Sequence, residues 1–181
     1  MTLAEKKIVF TYEDLLHWEN DQKRHELIKG DHFMTPSPSY EHQRIAFKLA
    51  VQIELYVQEN QLGDVFVAPV DVVLSDYDVL VPDIGFVRAE RLTIIADGVV
   101  KGAPDLVVEV LSPSSLQRDK SSKFKQYSLY GVKEYWIVDP DKQTIEVHDL
   151  EEQKRIAIFG SRQRLNSPTF PDINLEMCKI F

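Results

Sequence analysis

A chain of 181 residues, 44 % hydrophobic and 28 % charged, can bury a core of its own and reads as one domain spanning residues 1–181. Its single cysteine, Cys178, excludes an internal disulfide and a cysteine-built zinc site; with no apolar leader at the N-terminus and no membrane-length apolar run, a cytoplasmic protein without a membrane partner is expected. A net charge of −8, from 21 basic against 29 acidic residues, disfavours tight metal-free binding to nucleic acid, which normally needs a basic face.

Thr11 reads as the N-cap of a short helix running to about Glu19. Residues 24–28 and 31–35 flank Lys29-Gly30 as a β-hairpin. Ser37-Pro38 opens a long helix to about Asn60, closed by Gly63, with Ile45, Leu49, Ile53 and Tyr56 on one stripe. Strands are expected near 64–69, 71–74 and 79–87, then a short helical connection near 89–95. A strand through Glu109 leads into Ser112-Pro113-Ser114-Ser115 and a helix ending at Gly131. Strands near 134–139 and 143–149 follow, and the remainder reads as a peripheral strand pair and tail. The expected fold class is α/β, a central mixed β-sheet flanked by helices, with an N-terminal helix and β-hairpin. No repeat or Gly/Ser-rich linker suggests a boundary.

Two acids stand out against this frame. Glu109 has two apolar residues on each side in Leu106-Val107-Val108-Glu109-Val110-Leu111, the pattern of a strand buried on both faces. A carboxylate there needs a metal, a lysine or a dense set of hydrogen bonds. Asp83 follows a second apolar stretch, Val79-Leu80-Val81-Pro82. Hard divalent cations take oxygen ligands, so carboxylates on neighbouring strands suit Mg2+ or Mn2+, and a lysine-rich helix supplies a cation. Together these features suggest a metal-dependent, phosphodiester-cleaving site. At about 100° per residue Lys123 lies beside Tyr127 and Lys120, whereas Lys125 points away, so Lys123 and Lys120 are the candidate lysines, with a solvated helix face as the equal alternative. His42, near the start of the long helix, is a candidate to orient phosphate or water. Asp105 shares the strand parity of Glu109, but four residues at ~3.3 Å rise separate them by roughly 13 Å, too far to share an ion. Ser112 and Ser114 read equally as phosphate contacts or as a helix cap.

The segments Glu26-Leu27-Ile28-Lys29-Gly30-Asp31, Val81-Pro82-Asp83, residues 102–114 and residues 131–140 occur in that order. Together they resemble the putative restriction endonuclease family of small bacterial proteins within the PD-(D/E)XK nuclease superfamily, over about residues 10–150. The resemblance implies a restriction-endonuclease-like fold and a Mg2+-dependent nuclease site. It matches Glu26 to an early glutamate that acts as an outer or second metal ligand, places the helix lysine at Lys123, and keeps Asp105 among the candidates. One departure is plain: the superfamily lysine two residues after the strand glutamate is Leu111 here.

The expectation is a metal-dependent nuclease, a DNA endonuclease by preference, using Asp83, Glu109 and Lys123, with Asp83, Glu109 and Glu26 as metal ligands. By analogy with enzymes that cut both strands, a homodimer is expected. Two alternatives stand beside it: a catalytically silent nuclease-fold protein that binds nucleic acid or a protein partner, and a metal-dependent phosphoesterase acting on a non-nucleic-acid substrate. No GxxxxGK[ST] phosphate loop occurs, which argues against ATP-driven restriction in this chain.

Overall fold

The computed structural model describes residues 8–18, 23–112 and 118–181, and of residues 118–120 only the backbone. Helix α1 (Tyr12–Leu16) begins with a capping box: Thr11 Oγ1 accepts from Asp14 N at 3.3 Å, and the Asp14 carboxylate accepts from Thr11 N at 2.8 Å. It ends three residues short of the expected Glu19, which lies outside the described residues. Strands β1 (Arg24–Ile28) and β2 (Asp31–Thr35) form the expected hairpin. Its turn residues, Lys29 and Gly30, both have positive φ (54° and 73°), the geometry that matches the right-handed twist of paired strands. Helix α2 (Tyr40–Glu59) starts later than the expected Ser37-Pro38 opening, with Ser39 as its cap, and buries Ile45, Leu49 and Ile53.

β3 (Gly63–Val67), β4 (Val72–Ser75), β5 (Asp78–Leu80) and β6 (Ile84–Arg88) follow. The single strand expected near 79–87 is therefore two strands. Pro82 has no N–H for a ladder, and at this point the chain leaves one sheet and enters another. A 3-10 turn (Ala89–Ile94) precedes β7 (Ile95–Ala96) and β8 (Val99–Lys101), a hairpin absent from the sequence expectation although Asp97-Gly98 is a turn signal. β9 (Leu106–Val110) carries Glu109. A π-helical turn (Arg118–Lys123) runs into α3 (Phe124–Tyr130), which Gly131 ends in the left-handed conformation. The chain closes with β10 (Glu134–Asp139), β11 (Thr144–Asp149), β12 (Lys154–Gly160), β13 (Arg164–Leu165), β14 (Leu175–Glu176) and α4 (Met177–Ile180).

The expected single central sheet is corrected to two mixed six-stranded sheets and a small pair. One sheet runs β2-β1-β5-β4-β8-β7, the second β12-β11-β10-β9-β6-β3, and β13 pairs with β14. In the second, β9 lies between β10, its parallel neighbour, and β6, its antiparallel one. Alternation along the strands separates two cores. Leu106, Val108, Val110, Trp136 and Val138 pack with α2 and with Leu165–Ile180 of the C-terminal segment. Val107, Tyr135 and Ile137 pack with Tyr127 of α3 and with Ile28 and Leu80 of the first sheet. The C-terminal segment is thus part of the main core, not a peripheral tail. No helix among the described residues is long and apolar enough to cross a membrane.

Candidate active site

Glu109 shares the parity of Val107, so its side chain points toward α3 and the hairpin sheet rather than toward α2. It is 3 % exposed. Lys123 Nζ donates to its Oε1 at 2.9 Å, and the Tyr127 hydroxyl donates to the same oxygen at 2.9 Å. Lys123 and Tyr127 are four residues apart and meet on one face of the helix, as the spacing predicts. The same ammonium lies 2.8 Å from Glu26 Oε1. That oxygen also accepts from Val81 N at 3.0 Å, while Thr35 Oγ1 stands 3.5 Å from Oε2. Lys123 therefore bridges a carboxylate from each large sheet.

Asp83 occupies the crossing between those sheets. Its Oδ2 accepts from Val110 N at 2.9 Å, which fixes it one residue beyond Glu109 on β9. Arg24 Nη1 donates to Oδ1 at 2.8 Å. His42 Nε2 stands 3.1 Å from Oδ2 and 2.9 Å from the Val110 carbonyl oxygen. Both neighbours are acceptors, so Nε2 carries the hydrogen. Burial pushes the Asp83 carboxyl up, but hydrogen bonding and charge from His42 and Arg24 outweigh it and bring its pKa down to about 2. Asp83 is ionised at neutral pH.

These groups border a cleft of about 540 Å³ between the 35–39 and 139–141 segments. Acids from Glu26, Glu41, Asp83, Glu109, Asp139 and Asp141 line it, against the basic residues Arg24 and Lys123. The six acids offer oxygen donors, and their excess over the basic residues favours a divalent cation. Mg2+ is held through one or two carboxylates while it keeps several waters, so Asp83 and Glu109 fit that chemistry. Among the described residues no three acids or histidines close on a single point as a cage. Glu26 is instead joined to Glu109 through Lys123.

Of the residues singled out in the sequence, Glu26, His42, Asp83, Glu109 and Lys123 line this one cleft. Asp105 does not: it lies at the other end of β9, fully buried, and it leaves the candidate set. There Arg88 N donates to its Oδ2 at 3.0 Å and Arg91 Nη1 pairs with that oxygen at 3.0 Å, with Arg88 Nε and Lys133 Nζ near Oδ1 at 3.7 and 3.6 Å. Four residues of extended strand keep it from Glu109, as its spacing requires. The Lys120 side chain and Ser114 lie outside the described residues; Ser112 lines the cleft. Leu111, at the superfamily lysine position, is buried in the core beside Tyr127. Two members of the cluster escaped the sequence reading. Arg24 lies two residues before Glu26, hence on the same strand face, and Tyr127 entered the sequence reading only as a helical neighbour of Lys123.

Residues 12–178 match the family described as "Uma2: Putative restriction endonuclease". An uncharacterized protein of Synechocystis sp., sll1609, is 26 % identical over 141 residues, which cover 77 % of this chain and 79 % of that one. The crystal structure of a putative nuclease belonging to DUF820 from Anabaena variabilis superposes with a TM-score of 0.80 at 23 % identity, over 95 % of this chain and 97 % of that one. That likeness extends to the mixed α/β fold.

Proposed function

The chain belongs to the Uma2 putative restriction endonuclease family, and from that membership and the cleft we propose a Mg2+- or Mn2+-dependent nuclease of the PD-(D/E)XK type. Its reaction is hydrolysis of a phosphodiester bond, with DNA as the preferred substrate class. The observation that carries this reading is the convergence of Asp83, Glu109 and Lys123, from the crossing between the sheets, from β9 and from the helical turn before α3, on one open cleft. The second sheet with α2 on one face and α3 on the other serves as the restriction-endonuclease-like core.

Asp83 and Glu109 would hold the ion. When bound, it supplies Lewis-acid polarisation of a phosphoryl oxygen and a water of lowered pKa. The chain's own groups do the rest. In hydrolysis the water oxygen forms a bond to phosphorus, the bond to the leaving oxygen breaks, and negative charge grows on the phosphoryl group. Lys123 brings a fixed positive charge to that centre, where a low local dielectric strengthens it. Glu26, tied to Lys123 and to Val81 N, acts as the anchor of this ammonium, a more specific part than that of an outer ligand. His42 and Arg24 keep Asp83 ionised and aimed. A homodimer would let two such clefts address the two strands of a duplex.

The acidic lining favours one second reading, a phosphoesterase acting on a small non-nucleic-acid substrate, because six acids repel the flanking phosphates of a polyanion. The two readings separate in an assay of supercoiled plasmid, single-stranded DNA and a chromogenic phosphodiester with Mg2+, Mn2+ or EDTA. Metal-dependent nicking supports the nuclease. Turnover of the small ester with intact DNA supports the second reading, and no turnover of any substrate refutes both.

A further inference from the structure

Tyr127 is fully buried where α3 packs on the face of β9 and β10, its ring tilted against Tyr135 at 5.4 Å between centroids. Phenylalanine would fill that space equally well, and a buried hydroxyl requires a partner. The partner it has is Glu109 Oε1, at 2.9 Å, the oxygen that Lys123 also holds.

We propose that Tyr127 is a positioning residue: its buried hydroxyl, together with Lys123, locks the Glu109 carboxylate in the orientation that receives a divalent cation. The inference rests on the nuclease reading of the cleft. Helix α3 is suited to this task because it is fastened from both sides. Tyr127 ties it to β9, and three residues later the Tyr130 hydroxyl donates to Asp78 Oδ2 at 2.8 Å in the hairpin sheet. The helix therefore cannot shift relative to either sheet without breaking a hydrogen bond to a carboxylate, the bond at Glu109 buried and the bond at Asp78 half-buried. Two donors on one oxygen fix both the rotation of Glu109 and the reach of Lys123. Without the hydroxyl, Glu109 keeps Lys123 as a partner but can rotate about its terminal torsion, which is broad in energy.

The test is Tyr127→Phe, characterised by three readouts. Circular dichroism should show an intact fold. Calorimetric titration with Mn2+ in the absence of nucleic acid should show a dissociation constant raised about tenfold, the usual effect of removing a group that orients a metal ligand. A crystal structure of the metal-free variant should show the Glu109 carboxylate rotated about its terminal torsion while still paired with Lys123 Nζ. A dissociation constant within twofold of wild type, with Glu109 unmoved, overturns the proposal. A structure of Mn2+-loaded wild type gives a reading independent of any variant: the phenol should remain on Glu109, and a phenol swung away from it refutes the assignment. Failure of wild type to take up Mn2+ would count against the nuclease reading, and the metal-free variant structure would still decide whether Tyr127 positions Glu109.

Discussion

Lys123→Met keeps the length of the side chain and removes the ammonium shared by Glu26 and Glu109. Both carboxylate oxygens lie within 2.9 Å of Nζ, so they stand at most about 6 Å apart, and all three side chains are at most 4 % exposed. Two like charges at that separation repel by about 3 kcal/mol at an effective dielectric of about 20. Removing one partner of a buried ion pair ordinarily destabilises by about 3–5 kcal/mol, because the charge left behind is desolvated and unopposed. Lys123→Met should therefore lower unfolding free energy by about 3–5 kcal/mol at pH 7. Urea denaturation in EDTA, followed by circular dichroism, measures this directly. Adding Glu109→Gln to the variant removes the repulsion and should restore about 1–3 kcal/mol. A single variant within about 0.5 kcal/mol of wild type, or a double variant no more stable than the single, would refute the reasoning.

Asp83 gives a pH signature. Its folded pKa of about 2 lies below the ordinary value near 4, so the stability it contributes is complete above about pH 5 and is lost as pH falls toward 2. The shift corresponds to about 2 kcal/mol. Acid titration of stability should show Asp83→Asn losing about that much less than wild type between pH 5 and 2, and parallel curves would contradict the assignment. Asp105→Asn separates structure from chemistry: it weakens a buried charge-assisted network and should destabilise by about 1–3 kcal/mol. Its Mn2+ affinity should stay within twofold of wild type, and a large loss would return Asp105 to the site.

The parts of the fold that sequence revealed were those with a local cause. The Lys29-Gly30 hairpin, the capped α1, the apolar stripe of α2 and the doubly buried β9 follow from turn chemistry, capping and hydrophobic period. Division into two sheets was hidden because it depends on where the chain goes after Pro82, and a proline shows only that a ladder is interrupted. The role of the C-terminal segment was equally hidden: Phe170, Ile173 and Leu175 are buried by distant packing against α2 and β6, which no local pattern encodes. At the site, the strand parity of Glu109 and the four-residue spacing from Lys123 to Tyr127 were legible. The bridge from Lys123 to Glu26 was not, since it joins residues almost a hundred positions apart across two sheets.

The most direct measurement is single-turnover cleavage of single- and double-stranded oligonucleotides in Mg2+, with wild type, Glu109→Gln and Asp105→Asn side by side. The account predicts cleavage by wild type and Asp105→Asn that EDTA abolishes, and none by Glu109→Gln. Cleavage that survives Glu109→Gln, or its absence in wild type shown to hold the ion, would contradict it.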